Sequence, residues 1–549
     1  MRAGPIRRWD RETALLAWLT ACVSILSFLF YFRRGDILLY GDAVAHINIA
    51  RRVFDSRTPG LLQLGTVWLP LPHLLMVPFL LSNWMWKTGV GGSIPSMAAY
   101  VLGTIGIFRL VRGGLGAVGQ SDRMIRFVAW LAAIIYATNP NLIYLQATAM
   151  TESLYLALFV WAMVFFNEFV RESTKLSENL RSASSSLVKC GFCLAGACLT
   201  RYDAWLLTIA MCAAALLVAL LAKRQGHPYV GGLTKFILLA AAAPVLWLTY
   251  NAIVYRNPLE FANGPYSAKA IEQRTPAATH PGTHDLQTAF SYFLKSAELN
   301  LAAGSWQKLW ILLGLSGVIA ALTRRQTRGE LWPLLLLGIP LPFYSLSVAY
   351  GGVPIFMPVW WPFSYYNVRY GLELLPAFAV FAAMAAYFAL QLVQRRVFKI
   401  ASAVACLIFV VTSYASIWSP PVCFGEAATN SRGRISLEHE LADFVRVLPP
   451  DSTVLMYLGD HVGALQQAGI PLRRVINEGN HRTWKQPVDL DGLWERALAN
   501  PAKYADFVVA FEGDAVSTGV QKQELVPLAV IRASGKPKAT IYRTRAVAR

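Results

Sequence analysis

Long apolar segments alternate with short basic ones over about the first three quarters of the sequence, and this alternation limits the fold more than any other feature. A helix needs roughly 20 mostly apolar residues to cross a lipid bilayer. Segments that reach or approach this length are residues 14–32, 96–111, 125–137, 151–166, 187–199, 204–222, 236–255, 306–322, 331–349, 370–392 and 398–418. The chain of 549 residues, 55% of them hydrophobic, is therefore predicted to be a polytopic α-helical membrane protein with about 11 transmembrane helices.

The basic residues set the predicted orientation in the membrane. The net charge of +19 could indicate a nucleic-acid-binding protein, but most Lys and Arg residues lie in short clusters between apolar segments. Such clusters mark the cytoplasmic loops of membrane proteins. Arg7 and Arg8 precede the first apolar segment, and no convincing cleavage site follows it. We therefore predict a retained first span, a cytoplasmic N-terminus, an extracytoplasmic C-terminus, a location in the cell (cytoplasmic or inner) membrane and no nucleic-acid partner.

The segment 69–86 is apolar but is interrupted by three prolines and by His73. If it were a full span, every later loop would change sides and the basic clusters would lie outside. We therefore interpret it as an interfacial or re-entrant segment. Residues 33–95 then form a first outer loop with amphipathic helices, and residues 256–305 form a second, long outer loop.

The composition changes near the C-terminus. From about Ser436 onward, short strand-like segments alternate with helical ones. This pattern predicts a small soluble α/β domain. We place the boundary so that residues 1–419 form the transmembrane domain and residues 420–549 the extracytoplasmic domain.

The first outer loop contains an acid and a histidine, Asp42 and His46, four positions apart, so that both lie on one face of a helix. Ionisable residues held at a membrane boundary suggest a functional site. The structural alternative is that Asp42 only caps the helix that follows Gly41. Four arginines of this loop (Arg33, Arg34, Arg51 and Arg52) lie outside against the positive-inside rule, and we interpret them as a docking patch for an anionic lipid headgroup.

Other ionisable residues at the predicted span ends gather on the same outer side. They are His73, Glu152, Arg201, Asp203, Arg369 and Glu373. Each could be a local ion pair, a partner of a helix dipole or an interface anchor. Their convergence with Asp42 on one outer cavity favours a functional site. His280, His284 and Asp285 could offer metal ligands, but Pro281 and Gly282 prevent a regular helix between the histidines, and we predict no metal site there.

Several short motifs together resemble the family 39-like glycosyltransferases of the GT-C fold, which include protein O-mannosyltransferases and aminoarabinose transferases of lipid A. These motifs are Gly41-Asp42 after the first span, the proline-rich segment, Met150-Thr151-Glu152, Leu199-Thr200-Arg201-Tyr202 and Arg369-Tyr370 with Leu375-Pro376. The resemblance covers the membrane part of the chain. Many family members carry two adjacent acids in the first outer loop, whereas here Ala43 follows Asp42. The choice of the catalytic base therefore stays open, with Glu152 as the alternative.

The resemblance implies a sugar donor linked to a polyprenyl phosphate, an acceptor that is a lipid, a glycan or a protein, and a transfer with inversion on the extracytoplasmic face. Asp42 would be the catalytic base, and the residues expected to bind substrate are His46, His73, Glu152, Arg201, Asp203, Arg369 and Tyr370. Arg369 and Arg201 are the candidates for the phosphate, and the need for a divalent cation stays open. The alternative is a transporter or lipid flippase, which would predict inverted repeats and charges near the membrane midplane. Neither is evident in the sequence.

Overall fold

Helices form nearly all of the membrane part of the chain. The structure, a computed structural model, describes residues 10–117, 121–173, 180–224, 230–274, 282–323, 325–358, 365–480, 491–521, 523 and 525–544. The helices before the C-terminal domain are α1 (Arg11–Arg33), α2 (Gly41–Arg52), α3 (Leu71–Leu80), α4 (Asn83–Thr88), α5 (Val90–Gly116), α6 (Asp122–Ala137), α7 (Pro140–Gln146), α8 (Glu152–Ser173), α9 (Leu180–Cys198), α10 (Asp203–Arg224), α11 (Val230–Tyr255), α12 (Glu260–Asn263), α13 (Ala268–Arg274), α14 (Leu286–Leu301), α15 (Ser305–Thr323), α16 (Arg325–Leu331), α17 (Pro340–Tyr350), α18 (Leu375–Leu392) and α19 (Arg396–Ala415). Short 3₁₀ helices in this part are Asp36–Leu38, Leu61–Leu64, Trp332–Gly338 and Val368–Leu374.

The number of membrane-spanning helices agrees closely with the prediction. Within the described ranges, nine helical segments are long and apolar enough to cross a membrane. Helices α6 and α7 are bent by 62° relative to each other and would make a tenth span together. The eleventh predicted span, residues 187–199, lies in α9, which is not among these candidates; α9 has 19 residues, and its first half is rich in serine and includes Lys189. The prediction of a polytopic α-helical membrane protein is confirmed.

The segment 69–86 does not cross the bundle. It forms α3 and α4, which have 10 and 6 residues and are too short to span a bilayer. Both contact α2 through Arg51, whose Nη1 donates to the carbonyl of Leu80 at 2.5 Å and whose Nη2 donates to Asn83 at 2.7 Å. Two short helices agree with the predicted interfacial or re-entrant segment, and its placement outside the membrane core remains a prediction.

The range 256–305, predicted as a long polar loop, contains helices α12, α13 and α14. Helix α14 has 16 residues and packs into the bundle. Its Asn300 is buried and donates through Nδ2 to the carbonyl of Val368 at 2.7 Å. The last part of this range therefore supports the segment that carries Arg369 rather than extending into solvent.

Ion pairs mark one end of the helix bundle. At this end, Arg112 of α5 contacts Asp10 at 2.5 Å and Glu12 at 3.2 Å, and Glu12 also pairs with Arg126 of α6. The beginning of α1 therefore lies beside the end of α5 and the beginning of α6, as the predicted alternation requires. The opposite end carries the C-terminal domain. That this end faces outward remains a prediction.

Cysteine labelling tests this orientation. We expect a membrane-impermeant maleimide to label a cysteine placed at Ser534 in intact cells, and to label one at Ala117 only after permeabilisation. Both positions are exposed, the first in the C-terminal domain and the second directly after α5. Native Cys423 cannot serve as a probe, because its side chain is fully buried. Labelling of the Ala117 position alone in intact cells would reverse the predicted orientation.

The C-terminal domain is built on a five-stranded sheet. Its strands are β1 (Val454–Met456), β2 (Val475–Ile476), β3 (Phe507–Phe511), β4 (Val526–Ile531) and β5 (Ala539–Arg543), and its helices are α20 (Val422–Arg446), α21 (Val462–Ala468), α22 (Leu493–Ala499), α23 (Pro501–Tyr504) and α24 (Ala515–Val520), with 3₁₀ helices Gly459–His461 and Leu472–Arg474. The strand order is β2-β1-β3-β5-β4. Strand β1 is parallel to β2 and β3, whereas β5 is antiparallel to β3 and β4. Every residue of β3 is buried, as expected for an apolar central strand covered on both faces.

Helix α20 joins the two domains. It has 25 residues and begins just after the boundary at 419/420 that the sequence predicts. Near its start, Cys423 and Glu426 are buried against the membrane domain, whereas Leu437 and Leu441 belong to the hydrophobic core near the sheet. One continuous helix therefore connects the membrane bundle with the C-terminal domain.

Candidate functional site

A buried arginine lies at the centre of the polar cluster between the membrane helices and the C-terminal domain. Arg369 belongs to the 3₁₀ helix Val368–Leu374, which begins after Asn367 in the left-handed conformation (φ 57°) that asparagine tolerates. Its guanidinium donates from Nη2 to Asp42 at 2.6 Å, from Nε to Glu152 at 3.1 Å and from Nη1 to Glu426 at 3.0 Å. Three carboxylates thus surround one cation.

Aromatic rings hold the same guanidinium from the sides. The Arg369 Cζ lies 5.1 Å from the ring centroids of Tyr40 and Tyr370. A cation over an aromatic face is attracted by the ring quadrupole, most strongly where water is excluded. Tyr370, predicted to bind substrate, therefore contacts Arg369 directly.

A second arginine extends the cluster. Arg201 lies between α9 and α10, and its Nη1 donates to Glu152 at 3.2 Å and its Nη2 to the Tyr344 hydroxyl at 2.6 Å. Its Nε is 3.4 Å from Asp203 and 3.2 Å from Glu373, the latter a close ion pair that lacks hydrogen-bond geometry. Because Glu152 Oε1 accepts from both arginines, the two cations form one network.

Asp42 differs from the other acids of the network in its exposure. Its side chain is 40% exposed, whereas those of Glu152, Glu373 and Glu426 are at most 1% exposed. The cap position of α2 is Tyr40, and the Asp42 hydrogen bond found in the described chain is the one to Arg369. Asp42 therefore does not cap α2, contrary to the structural alternative considered from the sequence. Asp42 is the carboxylate of this network best placed to meet a molecule from solvent.

Helix α2 also carries half of a buried histidine pair. His46 Nδ1 lies 2.8 Å from His73 Nε2, and the two side chains are buried. Burial lowers the pKa of His46 to about 4 and that of His73 well below its usual value. Near neutral pH, one neutral ring therefore donates an N–H to the other. His46 lies on the same helix as Asp42, and His73 lies on α3. The acceptors of the Arg369 guanidinium in the described part of the chain are Asp42, Glu152 and Glu426, so the substrate-binding role of the two histidines remains a prediction.

Acid should destabilise the protein through this pair. Both histidines have a pKa of about 6.5 in the unfolded chain, and folding lowers the pKa of His46 to about 4 and that of His73 well below its usual value. The stability that this pair contributes is therefore full above pH 6.5 and is lost as the pH falls below it. The slope is at most about 1.4 kcal/mol per pH unit for each histidine. We expect the thermal midpoint of the purified protein to fall less between pH 7 and 5 in H73Q than in wild type. His439, which is exposed on α20, provides the control H439Q, and an equal pH dependence in wild type, H73Q and H439Q would contradict this assignment.

The four arginines of the first outer loop do not form one patch. Arg51 is buried, pairs with Asp55 at 2.8 Å and lies between Phe54 and Trp86. It therefore fixes α2 against α3 and α4 and cannot meet a lipid headgroup. Arg33 and Arg34 are exposed at the end of α1, and Arg34 pairs with Asp36 at 2.8 Å. The interpretation of a common headgroup-docking patch is wrong for Arg51.

Sequence reasoning missed Glu426, the third acid on Arg369. It lies after the last predicted span, in the segment taken as the start of the soluble domain, where an acid is not unusual. Burial raises the pKa of Glu426, whereas Arg369 lowers it. The apolar residues around it, Val422-Cys423-Phe424 and Ala427-Ala428, were the available signal.

The described chain contains no group of three or more His, Cys, Asp or Glu side chains arranged to hold a metal ion. Of the three residues of the long outer loop that were considered as metal ligands, His280 lies outside the described residues. Asp285 caps α14 by accepting from the backbone N–H groups of Gln287 and Thr288. This capping explains Asp285 without a metal.

The comparisons with known proteins agree with the fold predicted from the sequence. No family model and no curated protein sequence matches this chain. Among solved structures, ArnT from Cupriavidus metallidurans in the apo state matches with a TM-score of 0.54 and 15% identity over 97% of this chain and 98% of that one. ArnT bound to undecaprenyl phosphate matches with a TM-score of 0.52 and 13% identity over 95% and 98%. The Archaeoglobus fulgidus oligosaccharyltransferase tethered with an acceptor peptide matches with a TM-score of 0.50 and 12% identity over 91% and 69%.

These identities are low, and the likeness concerns the fold. It extends over nearly the whole length of ArnT, and so includes the C-terminal domain as well as the membrane helices. The chain therefore has the GT-C fold that its short motifs indicated.

Proposed function

We propose that this protein is a membrane glycosyltransferase that moves a hexose or pentose from a polyprenyl-phosphate-linked donor to a lipid, glycan or protein acceptor, with inversion, on the extracytoplasmic face of the cell membrane. The observation that carries the proposal is the 2.6 Å contact between the half-exposed carboxylate of Asp42 and the buried guanidinium of Arg369. Such a transfer needs one group that accepts a proton and one cation that stabilises a leaving phosphate.

The chemistry assigns one role to each of these residues. An acceptor hydroxyl or amine attacks the anomeric carbon while its proton passes to the Asp42 carboxylate. The bond between that carbon and the phosphate oxygen breaks, and the electron pair leaves on the lipid phosphate. Arg369 and Arg201 lie in the same network and would stabilise the developing phosphate charge. Attack from the side opposite to the phosphate inverts the anomeric centre.

Two features support a lipid-linked donor. The likeness to ArnT includes a structure bound to undecaprenyl phosphate, which is a polyprenyl phosphate. The polar network also lies where the membrane helices meet the C-terminal domain, where a lipid-anchored phosphate and a more polar acceptor can meet. His46, His73, Glu152, Asp203 and Tyr370 complete the proposed substrate-binding set around Asp42, Arg201 and Arg369.

The experiment is a transfer assay with the purified full-length protein. Undecaprenyl-phosphate-linked sugars are incubated with the protein and with extracted envelope lipids, glycans and proteins as acceptors. We expect mass spectrometry to detect a glycosylated product together with released undecaprenyl phosphate. Movement of the intact lipid-linked sugar across proteoliposomes, with no release of undecaprenyl phosphate, would contradict the proposal and would favour a flippase.

A further inference from the structure

We propose that Glu426 is a positioning residue for Arg369, which it holds in the orientation that receives the donor phosphate. Through Glu426, the helix that leads into the C-terminal domain becomes part of the donor site. The inference rests on the proposed function for the identity of the ligand, because it concerns how the same site binds a phosphate. It assigns no direct contact between Glu426 and the substrate.

Glu426 holds both the side chain and the backbone of the arginine segment. Its Oε1 accepts from Arg369 Nη1 at 3.0 Å and lies 3.3 Å from the Tyr40 hydroxyl, whose shorter hydrogen bond goes to the Cys423 carbonyl. Its Oε2 accepts from the backbone N–H of Val368 at 2.9 Å. One buried carboxylate therefore holds both the guanidinium and the backbone N–H of the residue that precedes Arg369.

The three acids on Arg369 are not equivalent. Glu152 and Glu426 are buried and occupy Nε and Nη1, whereas Asp42 is half-exposed and occupies Nη2. A ligand phosphate can reach the guanidinium on the side of Asp42 and take the place of that carboxylate. Glu426 stays in place and keeps the guanidinium directed toward the phosphate.

Helix α20 is itself fixed to the elements that carry the site. The Cys423 N–H donates to Asn141 Oδ1 at 2.9 Å, and the Cys423 carbonyl accepts from the Tyr40 hydroxyl at 2.9 Å. Farther along the helix, Arg434 Nη2 donates to the carbonyls of Leu38 and Leu39 at 2.7 and 2.9 Å. The helix thus holds the segment that leads into Asp42 as well as the arginine.

This arrangement predicts opposite effects for two substitutions that remove the same charge. E426Q and D42N each remove one negative charge from the same guanidinium. If the affinity for an anionic phosphate depended on the net charge of the site alone, both variants would bind it more tightly. The side-chain amide introduced by E426Q, however, would turn N–H groups toward Arg369 or toward the Val368 N–H, which are donors themselves. Positioning therefore predicts weaker binding in E426Q and tighter binding in D42N.

The test measures the affinity of the purified full-length protein for undecaprenyl phosphate. We expect E426Q to bind about tenfold more weakly or worse, D42N to bind more tightly, and D443N to bind as wild type does. Asp443 pairs with Arg446 at the exposed end of α20, outside the network, so that D443N controls for the loss of one negative charge. E426Q that binds as tightly as wild type, or more tightly, would overturn the proposal.

A second variant covers the case in which E426Q does not fold. E426D keeps the charge but shortens the side chain by one methylene, so we again expect weaker binding, and wild-type affinity in E426D would overturn the proposal. In the R369K background, the loss of affinity caused by E426D should shrink to less than about twofold, because lysine lacks the planar guanidinium that Glu426 orients. An undiminished loss there would show a merely structural role and would also overturn it. Absence of binding by the wild-type protein would contradict the proposed function, and this outcome is distinct from a loss confined to the Glu426 variants.

Discussion

D42N is expected to reduce sugar transfer by about 10²–10⁴-fold, the contribution of a general base, while the protein stays folded. An amide cannot accept the proton of the acceptor, so the nucleophile stays protonated as it attacks. Little stability should be lost, because Asp42 does not cap α2 and its side chain is 40% exposed. The measurement is the transfer rate at saturating donor, with thermal unfolding of the same preparation as the check on folding.

The same substitution should make the donor bind more tightly. Asp42 accepts from Arg369 Nη2, the position that a phosphate would take. Removal of this competing carboxylate leaves the cation freer for the phosphate. A D42N protein that binds the donor more tightly but hardly transfers the sugar would show that Asp42 is a catalytic base whose place on Arg369 the phosphate can take. A residue that only shapes the site would not give this combination.

E152Q provides the matched comparison for D42N. Glu152 is the alternative base, but its Oε1 accepts from both Arg369 and Arg201 and its side chain is 1% exposed. We therefore expect E152Q to lose donor affinity and stability rather than only the chemical step. If D42N transferred sugar at nearly the wild-type rate while a folded E152Q bound donor and failed to transfer it, Glu152 would be the base.

The residues that could be predicted from the sequence are those whose charge contrasts with their surroundings. Glu152, Arg201 and Arg369 stand at the ends of apolar segments, and alternation of the basic loops assigns those ends to one side of the membrane. Because all of them are fixed near the same boundary, the bundle brings them within hydrogen-bond distance. Contrast of this kind needs no knowledge of packing.

The residues that could not be predicted depend on the tertiary path of the chain. Glu426 stands in a segment where acids are common, and only the insertion of α20 against Tyr40 and Val368 brings it to Arg369. The contact between His46 and His73 likewise depends on the way α3 folds back against α2. A helical spacing of four residues relates Asp42 to His46, but it gives no information about a partner 27 residues away.

Replacement of Arg369 is expected to have the second large effect, and the buried acids decide which variant is informative. R369A would leave Glu152 and Glu426 without this counterion, and an unpaired buried charge of this kind costs about 3–5 kcal/mol of stability. R369A therefore confounds folding with function, whereas R369K keeps the charge and loses the planar fork that pairs bidentately with phosphate. We expect R369A, where it folds, to lose about 10²–10³-fold in turnover with the polyprenyl-phosphate donor, and R369K to recover only part of that loss.

The decisive measurement is kcat and KM for the lipid-linked donor with folded R369K, because a side chain that served only as a counterion to the acids would be replaced by lysine without kinetic cost. Wild-type kinetics in R369K would remove Arg369 from the phosphate site and leave Arg201, which also pairs with Glu152, as the candidate cation.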